Sequence, residues 1–137
     1  SLQAHIPAKG DLWCVFGCGG DRDTGKRAEM GRAAEQYADK LVITDDNPRS
    51  EEPALIVSDI LQGLAKPKSV LIEHDRKLAI THAITHAKEV DIVLIAGKGH
   101  EKFQEVQGVK FPFSDSEIVV EMLHAANDDV NTLGDRA

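Results

Sequence analysis

Short apolar runs alternate along this chain with polar stretches whose hydrophobic residues fall at helical spacing. Trp13-Cys14-Val15-Phe16 enters Gly17-Cys18-Gly19-Gly20, which predicts a buried strand followed by a tight turn. Residues 28–38 predict a helix with Met30, Ala33, Ala34 and Tyr37 on its inward side. Leu41-Val42-Ile43-Thr44 predicts a second strand. Ser50-Glu51-Glu52-Pro53 is a helix-start signal with Ser50 as candidate cap; the helix should run to about residue 64, with Leu55, Ile56, Ile60, Leu61 and Leu64 inward. Ser69-Val70-Leu71-Ile72-Glu73 predicts a third strand. Asp75 then caps a helix reaching about residue 87, with Leu78, Ala79, Ala83 and either His82 or His86 facing the sheet. Ile92-Val93-Leu94-Ile95-Ala96 is the fourth and most continuously apolar strand.

The pattern then changes. Phe103-Gln104-Glu105-Val106 and Val109-Lys110-Phe111-Pro112-Phe113, joined through Gln107-Gly108, predict a hairpin. Ser114-Asp115-Ser116-Glu117 fits a capping box opening a last helix over residues 117–126, and residues 127–137 form a polar tail. Strands alternating with helices mean an α/β fold, a doubly wound, mostly parallel, Rossmann-like sheet with right-handed crossovers, followed by the C-terminal hairpin and helix.

Composition narrows the function classes. The 137 residues, 42% hydrophobic, suit one domain with a sizeable core. A formal charge of −7 without any basic run argues against nucleic-acid or membrane-surface binding through bulk electrostatics. No apolar run reaches the roughly 18 residues of a membrane span. Cys14 and Cys18 lack a second pair, which points to reduced, buried thiols rather than a zinc site or disulfide framework. His82 and His86 have metal-ligand spacing but no third ligand nearby, as two residues on a helix surface would.

Ligands of such sheets bind beyond the carboxyl ends of the strands, and three strand ends carry conspicuous residues. Gly20-Asp21-Arg22-Asp23-Thr24-Gly25-Lys26-Arg27 matches a phosphate loop up to its last position, where Arg27 replaces the magnesium-binding hydroxyl. Two readings fit this loop: an anion site built on Arg22, Lys26 and Arg27, or a solvated loop with internal ion pairs. Thr44-Asp45-Asp46-Asn47-Pro48-Arg49 ends its strand in acids, an amide and an arginine, a set suited to a zwitterion, with Pro48 stiffening the turn. It also fits an ordinary strand-to-helix loop. Gly97-Lys98-Gly99-His100-Glu101 allows close backbone approach and places Glu101 to accept from an ammonium.

Together these three motifs, in this order and spacing, resemble the C-terminal domain of the Mur ligases, most closely the diaminopimelate-adding members; the resemblance runs from about residue 12 to about residue 123. It implies a cytoplasmic, ATP-dependent ligase of peptidoglycan synthesis. Such an enzyme phosphorylates a carboxylate of UDP-MurNAc-dipeptide and lets the amine of meso-diaminopimelate attack that acyl phosphate. The implied diaminopimelate pocket is Arg22, Asp46, Asn47, Pro48, Arg49, Gly97 and Glu101. Two arginines suit a carboxylate, while Asn47, Glu101 and the Gly97 carbonyl suit an ammonium. Lysine lacks the distal carboxylate, so Arg49 favours diaminopimelate.

The family's ATP loop and magnesium ligands lie outside this sequence, so ATP and Mg2+ are expected to bind mainly to another domain. The chain reads as residues 1–126 of a C-terminal domain shortened at its N-terminal side, lacking one strand and inactive by itself. Lys26, Lys98 and His100 receive no role from the resemblance. The alternatives are a lysine-adding or folylpolyglutamate-type relative, and a non-catalytic flavodoxin-like binding module.

Overall fold

Alternation along one strand decides both faces of the sheet. The computed structural model describes residues 10–96, 103–106, 109–112 and 115. Strand β1 (Leu12–Phe16) is buried along its whole length. Trp13 and Val15 point to one face, where they meet Val42, Ala79, Ile80 and Ala83. Cys14 and Phe16 point to the other, against Leu41, Ile43, Ile56, Val57, Ile60 and Leu64. A strand covered on both faces must be apolar at successive positions, which is why β1 reads as a continuous run.

Helix α1 (Gly25–Tyr37), β2 (Lys40–Ile43), α2 (Pro53–Leu61), β3 (Leu71–Ile72), α3 (Arg76–His86) and β4 (Ile92–Ile95) follow in turn. The four strands are parallel and ordered β3-β2-β1-β4. Ala34 and Ala38 bring α1 onto the same face as α2, while α3 covers the opposite face. The chain therefore winds outward from β1 to β3 and returns across the sheet to place β4 on the other side of β1. The reversal leaves a crevice at the carboxyl ends of β1 and β4. At the opposite ends the Asp91 carboxylate ties the sheet together, accepting from the Asp11 and Lys88 amides and the Trp13 indole at 2.8–3.0 Å.

Strands β5 (Phe103–Val106) and β6 (Val109–Pro112) pair antiparallel with Val106 opposite Val109, the expected hairpin. The expected helix over 117–126 and the polar tail lie outside the described residues.

Several local expectations are corrected. On α1 the buried residues are Arg27 and Gly31, whereas Met30 and Tyr37 are exposed at 44% and 51%. The helix turns a polar and small-residue face inward because the Arg27 guanidinium is neutralised there. On α2, Leu55 is exposed and Val57 takes the inward place. Ser50 does not cap that helix; its hydroxyl donates to Asp21 Oδ1 at 2.6 Å, and Glu52 occupies the N-cap ahead of Pro53. The third strand shrinks to two exposed edge residues after a 3-10 turn at Pro67–Ser69. On α3, Asp75 caps as expected, accepting from the Leu78 amide, but Leu78 itself is exposed and Ile80 is buried. His82 is half-buried, stacking on His86 at 4.0 Å with Trp13 alongside.

Candidate functional site

The exits of β1 and β2 are packed backbone against backbone. A Cβ at Gly17 would stand 2.1 Å from the Thr44 carbonyl oxygen, and one at Gly20 would stand 1.9 Å from that of Pro48. No side chain fits either place. The Gly20 amide then donates to the Asn47 carbonyl at 2.7 Å, fastening the two loops. Asn47 and Pro48 are buried in the turn, and Arg49 follows with φ at 52°, in the left-handed region. That conformation swings its guanidinium back over the glycine loop, where Nη1 donates to the Gly20 carbonyl at 3.0 Å and reaches Asn47 O at 3.4 Å.

Arg22 approaches from the other side. A Cβ at Gly19 would meet Arg49 Nη1 at 2.8 Å and Arg22 Cγ at 3.5 Å, so the two arginines flank one glycine. On the Arg22 side opens a cavity of ≈ 370 Å³, with Gly19, Arg22, Asp23, Lys26, Arg27 and Asp46 among its walls together with Cys18 and Met30; Arg49 does not line it. Cations and two carboxylates thus line a space within the roughly 300–1,000 Å³ of small-ligand sites. The Cys18 thiol lies 3.6 Å from Met30 Sδ, and burial pushes its pKa up to about 11, so it adds an apolar wall rather than a nucleophile.

Arg27, counted by sequence among the anion-binding cations, also borders the cavity but has its donors engaged by ion pairs. Its buried guanidinium donates to Glu51 at 2.7 Å, to Asp59 at 2.9 Å and to the Gly19 carbonyl at 3.0 Å. Glu51 in turn accepts from the Asp21 amide. Internal ion pairing is therefore right for Arg27, while exposed Arg22 and Lys26 remain at the cavity.

Beside this turn, Asp45 meets His74 Nδ1 at 2.7 Å. Burial holds the Asp45 pKa above the usual carboxylate value, with the His74 contact opposing. Sequence reading missed a second buried arginine. Arg76 forks onto Asp115 at 2.7 and 2.8 Å and also donates to the Asp45 carbonyl at 3.2 Å and the Ala96 carbonyl at 3.1 Å. One signal was available. Arg76 opens α3 and Arg27 sits in the first turn of α1, ends where the helix dipole disfavours a cation. A cation placed there needs a specific anionic partner. Gln104 adds a bond from the hairpin, its amide donating to the Asp46 carbonyl at 2.8 Å.

Arg22, Asp46, Asn47, Pro48 and Arg49 are thus gathered around the two loops. Gly97 and Glu101, with Lys98 and His100, lie outside the described residues, although Ala96 O, one residue before Gly97, is tied to the β2 exit through Arg76. Among the described residues no group of three His, Cys, Asp or Glu side chains could hold a metal ion, and no helix is long and apolar enough to cross a membrane.

Comparison with known proteins identifies the family. The family profile described as "Mur ligase, glutamate ligase domain" matches residues 1–99. Similar curated relatives are UDP-N-acetylmuramoyl-L-alanyl-D-glutamate--2,6-diaminopimelate ligases. That of Haemophilus ducreyi is 52% identical over 124 residues, 90% of this chain and 25% of the relative. That of Aquifex aeolicus is 55% identical over 116 residues, 85% and 24% respectively. That of Neisseria meningitidis serogroup A is 56% identical over 123 residues, 90% and 25%. A solved structure of an enzyme of the same name matches with TM-score 0.85 and 43% identity, covering 92% of this chain and 26% of that one. The chain spans about a quarter of the length of the relatives it matches.

Proposed function

This chain belongs to the Mur ligase family, glutamate ligase domain, and from that premise we propose that it is the amino-acid-binding part of an ATP-dependent ligase. In this proposal the enzyme adds meso-2,6-diaminopimelate to UDP-N-acetylmuramoyl-L-alanyl-D-glutamate in the cytoplasm. One observation carries the proposal: Arg22 and Arg49 both approach Gly19, beside a cavity lined by Arg22 and Asp46.

Meso-diaminopimelate carries an amino-acid group at each end, so one amine can react while the other end is gripped. Arg49 and Arg22 pair with the gripped carboxylate, since two guanidinium groups supply forked donors to its two oxygens. Asp46 faces the ammonium from the cavity wall, and the family resemblance assigns Gly97 and Glu101, outside the described residues, to the same half. Asn47 and Pro48, both buried, hold the turn that aims Arg49. Lysine would leave the arginines without a carboxylate, at a cost of about 1–3 kcal/mol for desolvated donors lacking a partner.

The described residues do not fit a magnesium centre, and the glycine loop carries Arg27 where a phosphate loop needs a hydroxyl. ATP and Mg2+ are accordingly assigned to the rest of the enzyme. ATP supplies the phosphoryl group that activates the acceptor carboxylate as an acyl phosphate. This domain contributes proximity, holding the diaminopimelate amine in line with that carboxylate. The 1–126 segment by itself is expected to bind but not to ligate. The test is phosphate release from ATP by the full-length enzyme with UDP-MurNAc-dipeptide and either meso-diaminopimelate or L-lysine. Turnover with meso-diaminopimelate alone is expected; equal turnover with lysine would remove the assigned specificity.

A further inference from the structure

The exits of β2 and β4 lie on opposite sides of β1, and one side chain joins them. Arg76 is buried at the start of α3 and gives hydrogen bonds to the Asp45 carbonyl at the end of β2 and to the Ala96 carbonyl at the end of β4. Its remaining edge forks onto Asp115, which lies beyond the β5–β6 hairpin and is itself buried. Three segments distant in sequence therefore meet on one planar group. Asp45 precedes the Asp46–Arg49 turn and Ala96 precedes Gly97, so each carbonyl that Arg76 holds adjoins a segment assigned to the amino-acid pocket.

A role in stability alone explains this arrangement poorly. A buried ion pair is frequently matched or bettered by apolar side chains of the same volume, and a cation at a helix N-terminus opposes the dipole. What an apolar substitute cannot do is fix the spacing of two carbonyl groups and a carboxylate. A guanidinium does so because its five donors are held in a rigid plane. The sheet crevice where ligands of this fold bind lies between the strands being spaced.

We propose that Arg76, locked by Asp115, is a positioning residue for the amino-acid pocket: it sets the distance between the end of β2, from which the Asp46–Arg49 turn leaves, and the end of β4. This rests on the pocket reading above. Arg76 and Asp115 are both buried, so they act through the loops they hold, and their loss should weaken amino-acid binding selectively.

The experiment uses the full-length enzyme and steady-state kinetics in all three substrates. Arg76→Lys keeps the charge but offers one point of donors in place of a fork. Asp115→Asn keeps the shape but removes the charge. In each, KM for meso-diaminopimelate should rise at least fivefold while KM for ATP and for the UDP-linked acceptor stays within twofold. The double variant should be no worse than the poorer single one, because the pair acts as a unit. Unchanged KM values in folded variants, a parallel rise in all three, or multiplying effects would each overturn the proposal. If Arg76→Lys loses its cooperative thermal transition, Asp115→Asn decides; if both lose it, the pair serves the fold and the proposal fails. Arg49→Ala separates the two claims. An unchanged amino-acid KM there removes the pocket reading and this one with it. A raised KM there, with normal values in the Arg76 and Asp115 variants, removes only the present proposal.

Discussion

Arg49 is held in a backbone conformation that a side chain rarely adopts, with φ at 52°. Such strain persists where surrounding contacts over-determine the chain, here the buried Pro48 before it and the Gly20 carbonyl that its guanidinium meets. Two substitutions separate the strain from the side chain. Arg49→Ala and Arg49→Gly should both raise the diaminopimelate KM of the full-length enzyme at least tenfold. The glycine variant should be the more stable by about 1 kcal/mol, since only glycine occupies this region without a Cβ penalty. Equal urea midpoints for the two would show that the left-handed backbone carries no strain. The neighbouring glycines make a second pair. Gly20→Ala drives a Cβ into the Pro48 backbone and should lower the melting temperature. Gly19→Ala clashes only with the movable end of Arg49, its other neighbours standing at ordinary contact distance, and should raise KM with little change in stability. A Gly20→Ala variant as stable as wild type would contradict the close packing of these loops. At this scale the sequence singled out Arg22 and residues 46–49, which the two loops bring near one another, but not how they meet; Gly97 and Glu101 lie outside the described residues. The motif Asp46-Asn47-Pro48-Arg49 and the glycines were legible because turn and polar residues stand out after an apolar strand. That Asn47 is buried, or that Arg49 folds back over the neighbouring loop, depends on contacts between segments about 29 residues apart.

Among the elements, α1 shows why hydrophobic spacing picked the wrong face, whereas Ile56 and Ile60 of α2, and Leu64 just after it, are buried as expected and only Leu55 was misplaced. Positions 27, 31, 34 and 38 keep helical spacing, yet they read as an arginine, a glycine and two alanines. The more apolar Met30 and Tyr37 outrank them in any hydrophobic pattern and are nevertheless exposed. Burial of this face became possible because α2 and its leading turn supply Asp59 and Glu51 to Arg27, a pairing no local pattern reveals. The strand order was readable in outline, since buried strands announce themselves; the two-residue β3 was overestimated because an edge strand needs less apolar sequence than Val70–Ile72 offers. Arg27→Met tests the pairing. It keeps an unbranched apolar stem but leaves the half-buried Gly19 carbonyl and the Glu51 and Asp59 carboxylates without their donor, a loss of about 1–3 kcal/mol. Because Glu51 also receives the Asp21 amide, the glycine loop should loosen as well. Faster amide exchange over residues 19–22 is the expected companion of the lower unfolding free energy. Exchange unchanged in that loop would mean that Arg27 supports only the helix pair.

Across the whole molecule, carboxylates fasten joints that lie far apart. Hydrogen bonds from the Ala65 and Lys66 amides lower the pKa of Glu35, which ties α1 to the connection after α2. Arg27 first, then the Asp21 amide, lowers that of Glu51 between the two site loops. The Asp11 and Lys88 amides, with Trp13, lower that of Asp91 at the opposite ends of the strands. A carboxylate with a depressed folded pKa binds protons less readily than in the unfolded chain, so its stabilisation is present above the ordinary value and is lost as pH falls through the folded one. His82, lowered by burial and then by His86, acts in the same direction at higher pH, because the folded state resists its protonation. Asp45 has the opposite sign. Burial raises its pKa, so its charged form costs stability at neutral pH and protonation relieves that cost. Three depressed carboxylates and a depressed histidine against one raised carboxylate give a clear direction. Unfolding free energy should be level above about pH 7, decline gently below about pH 6.5 and fall more steeply below about pH 4.5. Asp91→Asn should flatten the acid limb by lowering stability at neutral pH toward its acid value. Asp45→Asn should steepen it, because the group that gains from acid is gone. Urea unfolding at intervals between pH 8 and pH 3.5 gives all three curves, and a wild-type stability that rises on acidification would reverse the assignment. The distribution of these joints also explains why the acid response belongs to the whole chain. Glu51 and Asp91 lie at opposite ends of the sheet, and β1 runs between the segments they fasten, so loosening either end removes support from the same central strand.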